Sequence, residues 1–169
     1  MPMGDLIYNQ RKIPREQWRY GFRSSAATGC GWIATYNALC LLGRNPDPQK
    51  LIRAYERQLP LIHGNTGTSF WGPALMFKKW GYCVTMTAKQ ERYDDLCRRS
   101  DVCLLFYHWR QGWRIGAHFV AVHFRDGAFI GYNTTRSSTG PDHYGSSLKD
   151  YIRRRKLFGT VLIGIQNKT

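Results

Sequence analysis

Apolar positions follow a helical rhythm in the first half of the chain and a strand-like one in the second. Ile33, Tyr36, Asn37, Cys40 and Leu41 recur at helical spacing with alanines between them, and Gly43 is a natural stop. The stretch predicts a buried helix that starts at or next to Cys30. Asp47 and Pro48 supply a cap and a first-turn proline for a second helix, through Leu51, Ile52 and Tyr55 to Leu59. His63 to Gly67 reads as a loop. Thr68 or Ser69 is expected to cap a third helix that holds Pro73 in its first turn and stops at Gly81. Tyr82 to Thr87 alternates as a short strand, and Lys89 to Arg99 reads as a polar helix. Val102 to Tyr107 is a continuous apolar run, which predicts a strand buried on both faces. His118–Phe124 and Ala128–Asn133 flank Asp126-Gly127, a strong two-residue hairpin signal. Residues 134–145 read as a loop, Ser146 or Ser147 as the cap of a last helix through Arg155, and Thr160 to Ile165 as a final strand. Helices first and strands later is an α+β order. Residues 1–22 interleave basic and aromatic side chains with weak periodicity and read as an N-terminal arm. Trp71, Trp80, Trp109 and Trp113 are expected mostly in the core, with Trp109 to Trp113 either a flap over a cleft or a hairpin corner.

Composition narrows the class. A chain of 169 residues suits one domain over 1–169. Apolar residues at 43%, charged residues at 21% and aromatics at 14% exclude a disordered tail, a collagen and a small disulfide scaffold. No apolar run approaches the roughly 18 residues of a membrane span. The opening residues lack the apolar stretch of a secretory signal. Five cysteines without a CxxC pair fit reduced thiols. A cytoplasmic location is therefore expected, or export without a recognisable signal. The net charge of +14 is the outlier, and it divides as +7 in residues 1–85 and +7 in 86–169. An evenly basic surface favours anionic partners; on its own it is weak support for nucleic-acid binding. His63, His108, His123 and His143 show no ligand spacing with the cysteines, so neither a metal nor another cofactor is expected. Arg153 to Lys156 reads as a solvated helix end, with a nucleic-acid patch as the alternative.

Candidate chemistry begins at Cys30. It follows a small-residue loop, Ser24 to Gly29, and opens a buried helix, where free N–H groups and the helix dipole favour a thiolate. The competing reading is an inert core cysteine. The hairpin register adds a partner. With Asp126-Gly127 at the turn, Arg125 lies opposite Ala128, and His118 and Asn133 become diagonal neighbours on one face. An imidazole with an amide beside it is the base-plus-orienter arrangement of nucleophilic catalysis. The Asn133 side chain would accept one ring proton and leave the other nitrogen free for the thiol proton. The competing reading is a strand-end histidine bonded for packing. His123 points to the opposite face and receives no role.

In their order and spacing, these pieces resemble one family. Cys30-Gly31 at a helix start, Gly67-Thr68 leading to a helix that ends in Trp80-Gly81-Tyr82, Gly116-Ala-His-Phe-Val-Ala-Val122, and Tyr132-Asn133 after the Asp126-Gly127 turn are similar to the papain-like peptidases that process bacteriocin leaders after a double glycine, and to their stand-alone relatives. The resemblance runs from about Ser24 to Asn133. It implies an α+β papain-like fold, with a helical half carrying the cysteine packed on an antiparallel sheet carrying the histidine. It implies Cys30 as nucleophile, His118 as base and Asn133 as orienter. The family's glutamine six residues before the cysteine, an oxyanion donor, is Ser24 here. Ser24 or Ser25 would substitute for it, or Gln17 would fold in from the arm. Most of the bacteriocin peptidases carry Asp as the third member; papain itself carries Asn.

The reading that follows is a cysteine peptidase, or a related thiol-dependent acyl-transfer hydrolase, acting on a peptide or protein that is acidic if the charge is functional. A catalytically impaired papain-like domain that binds a peptide is the alternative from a different class, and a basic nucleic-acid-binding protein is the third.

Overall fold

The computed structural model describes residues 5–58 and 69–168. The expected loop from His63 to Gly67, and Leu59 and Thr68 beside it, lie outside the described residues. The helices are α1 (Ser25–Thr28), α2 (Cys30–Leu41), α3 (Pro48–Gln58), α4 (Gly72–Lys79), α5 (Tyr93–Arg99) and α6 (Leu148–Arg154). The strands are β1 (Arg19–Tyr20), β2 (Arg23–Ser24), β3 (Cys83–Thr87), β4 (Val102–Gln111), β5 (Arg114–Arg125), β6 (Ala128–Tyr132), β7 (Asp142–Gly145) and β8 (Phe158–Gln166). The last six form one antiparallel sheet in the order β3-β8-β4-β5-β6-β7.

Both faces of this sheet are covered, which is why β4 reads as an unbroken apolar run. Leu105, Tyr107, Val120 and Val122 pack with Leu96 of α5 and Tyr151 and Ile152 of α6. Leu104, Phe106, Phe119 and Ala121 pack with Ala34 and Ala38 of α2 and Phe77 of α4. The outer side of α2 is covered in turn, where Trp32, Ile33 and Tyr36 meet Tyr20, Leu51 and Tyr55. Every residue of α2 from Gly31 to Cys40 is buried. A helix apolar all round is one enclosed all round.

Local chemistry sets the ends of the elements. The Lys50 N–H donates to Asp47 Oδ1 at 3.0 Å, so Asp47 caps α3. The Asp150 N–H donates to Ser147 Oγ at 3.2 Å, so Ser147 caps α6. The expected Ser69 cap on α4 is replaced: Trp71 stands at that position, with Pro73 in the first turn. Residues 134–145 are not all loop, because Asp142–Gly145 pairs with β6 as an edge strand. Trp71, Trp80 and Trp113 are exposed, against the expectation that they are core. β4 and β5 run past the sheet as a two-stranded ribbon, with Gln111 paired to Arg114 and Trp113 fully exposed at its tip. Trp109 to Trp113 is thus a hairpin corner, but not one packed on the core throughout: Trp109, Arg110 and Gln111 line a cleft and Trp113 is exposed.

Candidate active site

β5 and β6 have the expected register, with Arg125 opposite Ala128 and Phe124 opposite Phe129. Pairing stops at Tyr132 opposite Ala121. Asn133 then takes a φ of +64°, a left-handed conformation that Asn tolerates better than most residues. This turn breaks the strand alternation and changes the expected contact. It is the main-chain carbonyl of Asn133 that meets His118, at 2.6 Å from Nε2. The Asn133 side chain faces the other way: Oδ1 accepts from the Gln10 N–H at 2.8 Å, and Nδ2 donates to Gln10 Oε1 at 3.1 Å. The expectation of a side-chain amide on the imidazole is therefore corrected to a backbone carbonyl. The electronic consequence is unchanged. A carbonyl only accepts, so the neutral ring carries its hydrogen on Nε2 and leaves Nδ1 with a free lone pair. Tyr107, paired with His118 across the sheet, stands edge-on to the ring at 5.7 Å between centroids.

Cys30 opens α2, with Gly29 at the cap position and no side chain capping the first turn. Before Ala121 no strand among the described residues pairs with β5 on the β6 side, and the Phe119 N–H there reaches the Cys30 thiol. The N–H groups of Gly31 and Cys30 itself also turn toward the sulfur. The thiol thus meets the strand one residue from His118. No hydrogen bond joins thiol and imidazole among the described residues. Burial pushes the Cys30 thiol up from its usual value, and the three N–H groups only partly offset it. This corrects the expectation that the helix start would hold a thiolate at rest. Burial likewise lowers His118, against its bond to the Asn133 carbonyl.

The residues proposed as oxyanion donors are placed as follows. Ser24 precedes α1, and its hydroxyl caps no N–H. The buried Ser25 hydroxyl donates to the Trp18 carbonyl and accepts from the Trp32 indole N–H. Its only proton is committed, so it does not point a donor at the cleft. Gln17 is exposed in a turn whose N–H bonds the Pro14 carbonyl. The N-terminal segment does fold in, but through Gln10, whose Nε2 donates to the Ala26 carbonyl at 3.1 Å. Gln10 was not visible as a site residue in the sequence. It lies in a segment without periodicity, and its partner Asn133 is 123 positions away.

A cleft of about 620 Å³ opens beside these groups. Gln10, Ala26, Ala27, His118 and Asn133 line it, together with Tyr107, Trp109 and Tyr151. Among the described residues there is no group of His, Cys, Asp or Glu side chains that could hold a metal ion. No described helix is long and apolar enough to cross a membrane.

No family model and no curated protein matches the chain. Its fold is similar to a solved structure, the peptidase domain of Streptococcus ComA, a bi-functional ABC transporter involved in a quorum sensing pathway. The match covers 84% of this chain and 93% of that domain, with a TM-score of 0.51 and 17% sequence identity. At that identity the likeness concerns the fold. The chain is an α+β protein with the architecture of a papain-like peptidase domain, helices bearing Cys30 packed on the antiparallel sheet that bears His118.

Proposed function

We propose that this chain is a cysteine peptidase, or a closely related thiol-dependent acyl-transfer hydrolase, acting on a peptide. The observation that carries this reading is the approach of a thiol to the strand whose imidazole lines the cleft. A thiol at a helix start lies against the residue next to an imidazole whose far nitrogen is fixed by a carbonyl. Cys30 Sγ attacks the substrate carbonyl as His118 Nδ1 takes the thiol proton. The C–N bond then breaks, and the departing amine leaves with that proton. Water, deprotonated by His118, cleaves the thioester, and the acid and the thiol are released. The main-chain carbonyl of Asn133 holds the ring and stabilises the imidazolium. The N–H groups at the start of α2 face the developing oxyanion.

The test is a neutral peptide carrying a terminal electrophile, reacted at pH 7.5 and mapped by mass spectrometry. Modification is expected at Cys30, ahead of Cys40, Cys83, Cys97 and Cys103. His118→Ala should slow it by roughly 10²-fold or more. Slow, even modification of all five cysteines, indifferent to His118, would sink the proposal.

A second reading is a domain that binds a peptide without cleaving it. What favours it is Ser25, next to the position of the family's glutamine at Ser24: its proton is committed to the Trp18 carbonyl. Under this reading the same peptide, without its electrophile, binds but is recovered intact.

A further inference from the structure

The walls of the cleft carry charge of one sign. Arg11 of the N-terminal segment, Arg110 of the β4–β5 ribbon, Arg136 of the loop after β6 and Arg155 at the end of α6 all line it, and no Asp or Glu does. Among the described residues none of the four is in an ion pair; the ion pairs join Arg99 to Asp95, Arg125 to Asp126 and Arg153 to Asp150, elsewhere on the surface. The carboxylate behind this wall, Asp142, accepts from Ser138 Oγ at 2.6 Å and is not part of the lining. Four arginines from four separate parts of the chain line one concavity, with no carboxylate among its described lining residues. Arg136 also lies over the Trp109 ring, at 5.8 Å from its centroid, which holds a cation at the mouth.

We propose that this cleft binds an acidic peptide segment, with its Asp or Glu carboxylates against Arg11, Arg110, Arg136 and Arg155. The proposal rests on the reading of the cleft as a peptide site and names the substrate class. A guanidinium presents paired donors that match a carboxylate. The net charge of +14 draws any anion toward the surface, but it does not choose a place. The unpaired arginines choose the place. Tyr107, Trp109 and Tyr151 between them supply apolar surface for the peptide's other side chains. A volume near 620 Å³ admits a few residues and falls within the usual range of a ligand pocket.

The test is binding by fluorescence anisotropy to the full chain carrying Cys30→Ala, so that it reads the same whether or not the thiol is reactive. Three labelled peptides of one length are compared, Glu-rich, Gln-rich and Lys-rich, in 0.05 M and 0.5 M salt. The Glu-rich peptide is expected to bind at least tenfold more tightly than the Gln-rich one at low salt, and to weaken at high salt. Arg136→Ser with Arg155→Ser should abolish that preference. Lys78→Ser with Lys79→Ser, which removes the same charge from exposed positions on α4, should preserve it. Equal losses from the two double variants would overturn the proposal, because the preference would then belong to the whole surface. A single-stranded oligonucleotide that displaces the Glu-rich peptide and binds more tightly would also overturn it, in favour of nucleic acid. Electrophile-bearing forms of the three peptides, applied to wild-type protein, separate the two readings. If all three modify Cys30 at one rate and each needs His118, the acidic preference falls and the peptidase stands. If the Glu-rich peptide binds but none modifies Cys30, the acidic site stands and the peptidase falls.

Discussion

Asn133 does two jobs with two different groups. Its carbonyl orients His118, and its side chain clasps Gln10. Substitution separates them, because only the side chain is lost. Asn133→Gly keeps the carbonyl and accepts a positive φ without strain. It is expected to retain reactivity at Cys30 within about tenfold of wild type, since what is lost is two hydrogen bonds to Gln10 worth roughly 1 kcal/mol each. Asn133→Ala removes the same clasp and adds left-handed strain of roughly 1–2 kcal/mol, so it should be the less stable of the two. Rates of modification by the neutral electrophilic peptide, with urea melts of both variants, check this. If the glycine variant is as slow as His118→Ala, the side chain and not the carbonyl does the orienting.

At the level of elements, the start of α2 is the tightest joint near the thiol. A Cβ on Gly29 would lie 2.5 Å from the Ser25 carbonyl oxygen and 2.7 Å from the Trp32 indole nitrogen, with α1 on one side and α2 on the other. Gly29→Ala is therefore expected to cost roughly 1–3 kcal/mol, read as a Tm lower by roughly 2–12 °C. An unchanged Tm would mean that the joint gives way freely. The elements also show what was legible in the sequence. α2 was, because Gly31 to Cys40 is buried on every side and its first residue follows a glycine. The β5–β6 register was, because Asp126-Gly127 admits few alternatives; both residues have positive φ. The ribbon beyond the sheet was not, because Trp109 to Ala117 mixes Arg, Gln, Gly and Trp with no apolar face to betray a strand. β7 was missed for a related reason: as an edge strand it buries Tyr144 alone among its four residues. Cys30 and His118 could be picked out by local signals, whereas the contact that turns Asn133 depends on Gln10, far away in the chain.

Over the whole molecule, burial of neutral groups makes stability depend on pH from both sides. His118 is lowered from its ordinary 6.5 by burial, and so is His123. In the unfolded chain these rings take up protons as pH falls through about 6.5, while in the fold they resist. The unfolded state then binds more protons, so stability falls with acid until the folded values are reached. Cys30 is raised from 9.0 by burial. It keeps its proton in the fold at a pH where the unfolded thiol has lost it, so stability falls again as pH rises past that value. Urea melts at pH 5, 7.5 and 9.5 are expected to give the highest midpoint in the middle. His118→Gln should flatten the acid side; an acid limb of full depth in that variant would assign it to other groups.

The clasp between Gln10 and Asn133 also has a consequence in time. A ribosome makes Gln10 before the residue that receives it, which follows 123 positions later. At about 5–20 residues per second, that interval is roughly 6–25 seconds. Once Cys30 has been made, the nascent chain has its thiol for the rest of that interval but neither the imidazole's anchor nor a completed cleft wall. Arg155 is made later still. The order of synthesis therefore leaves the Cys30 thiol without its completed surroundings until Asn133 and Arg155 have both been made.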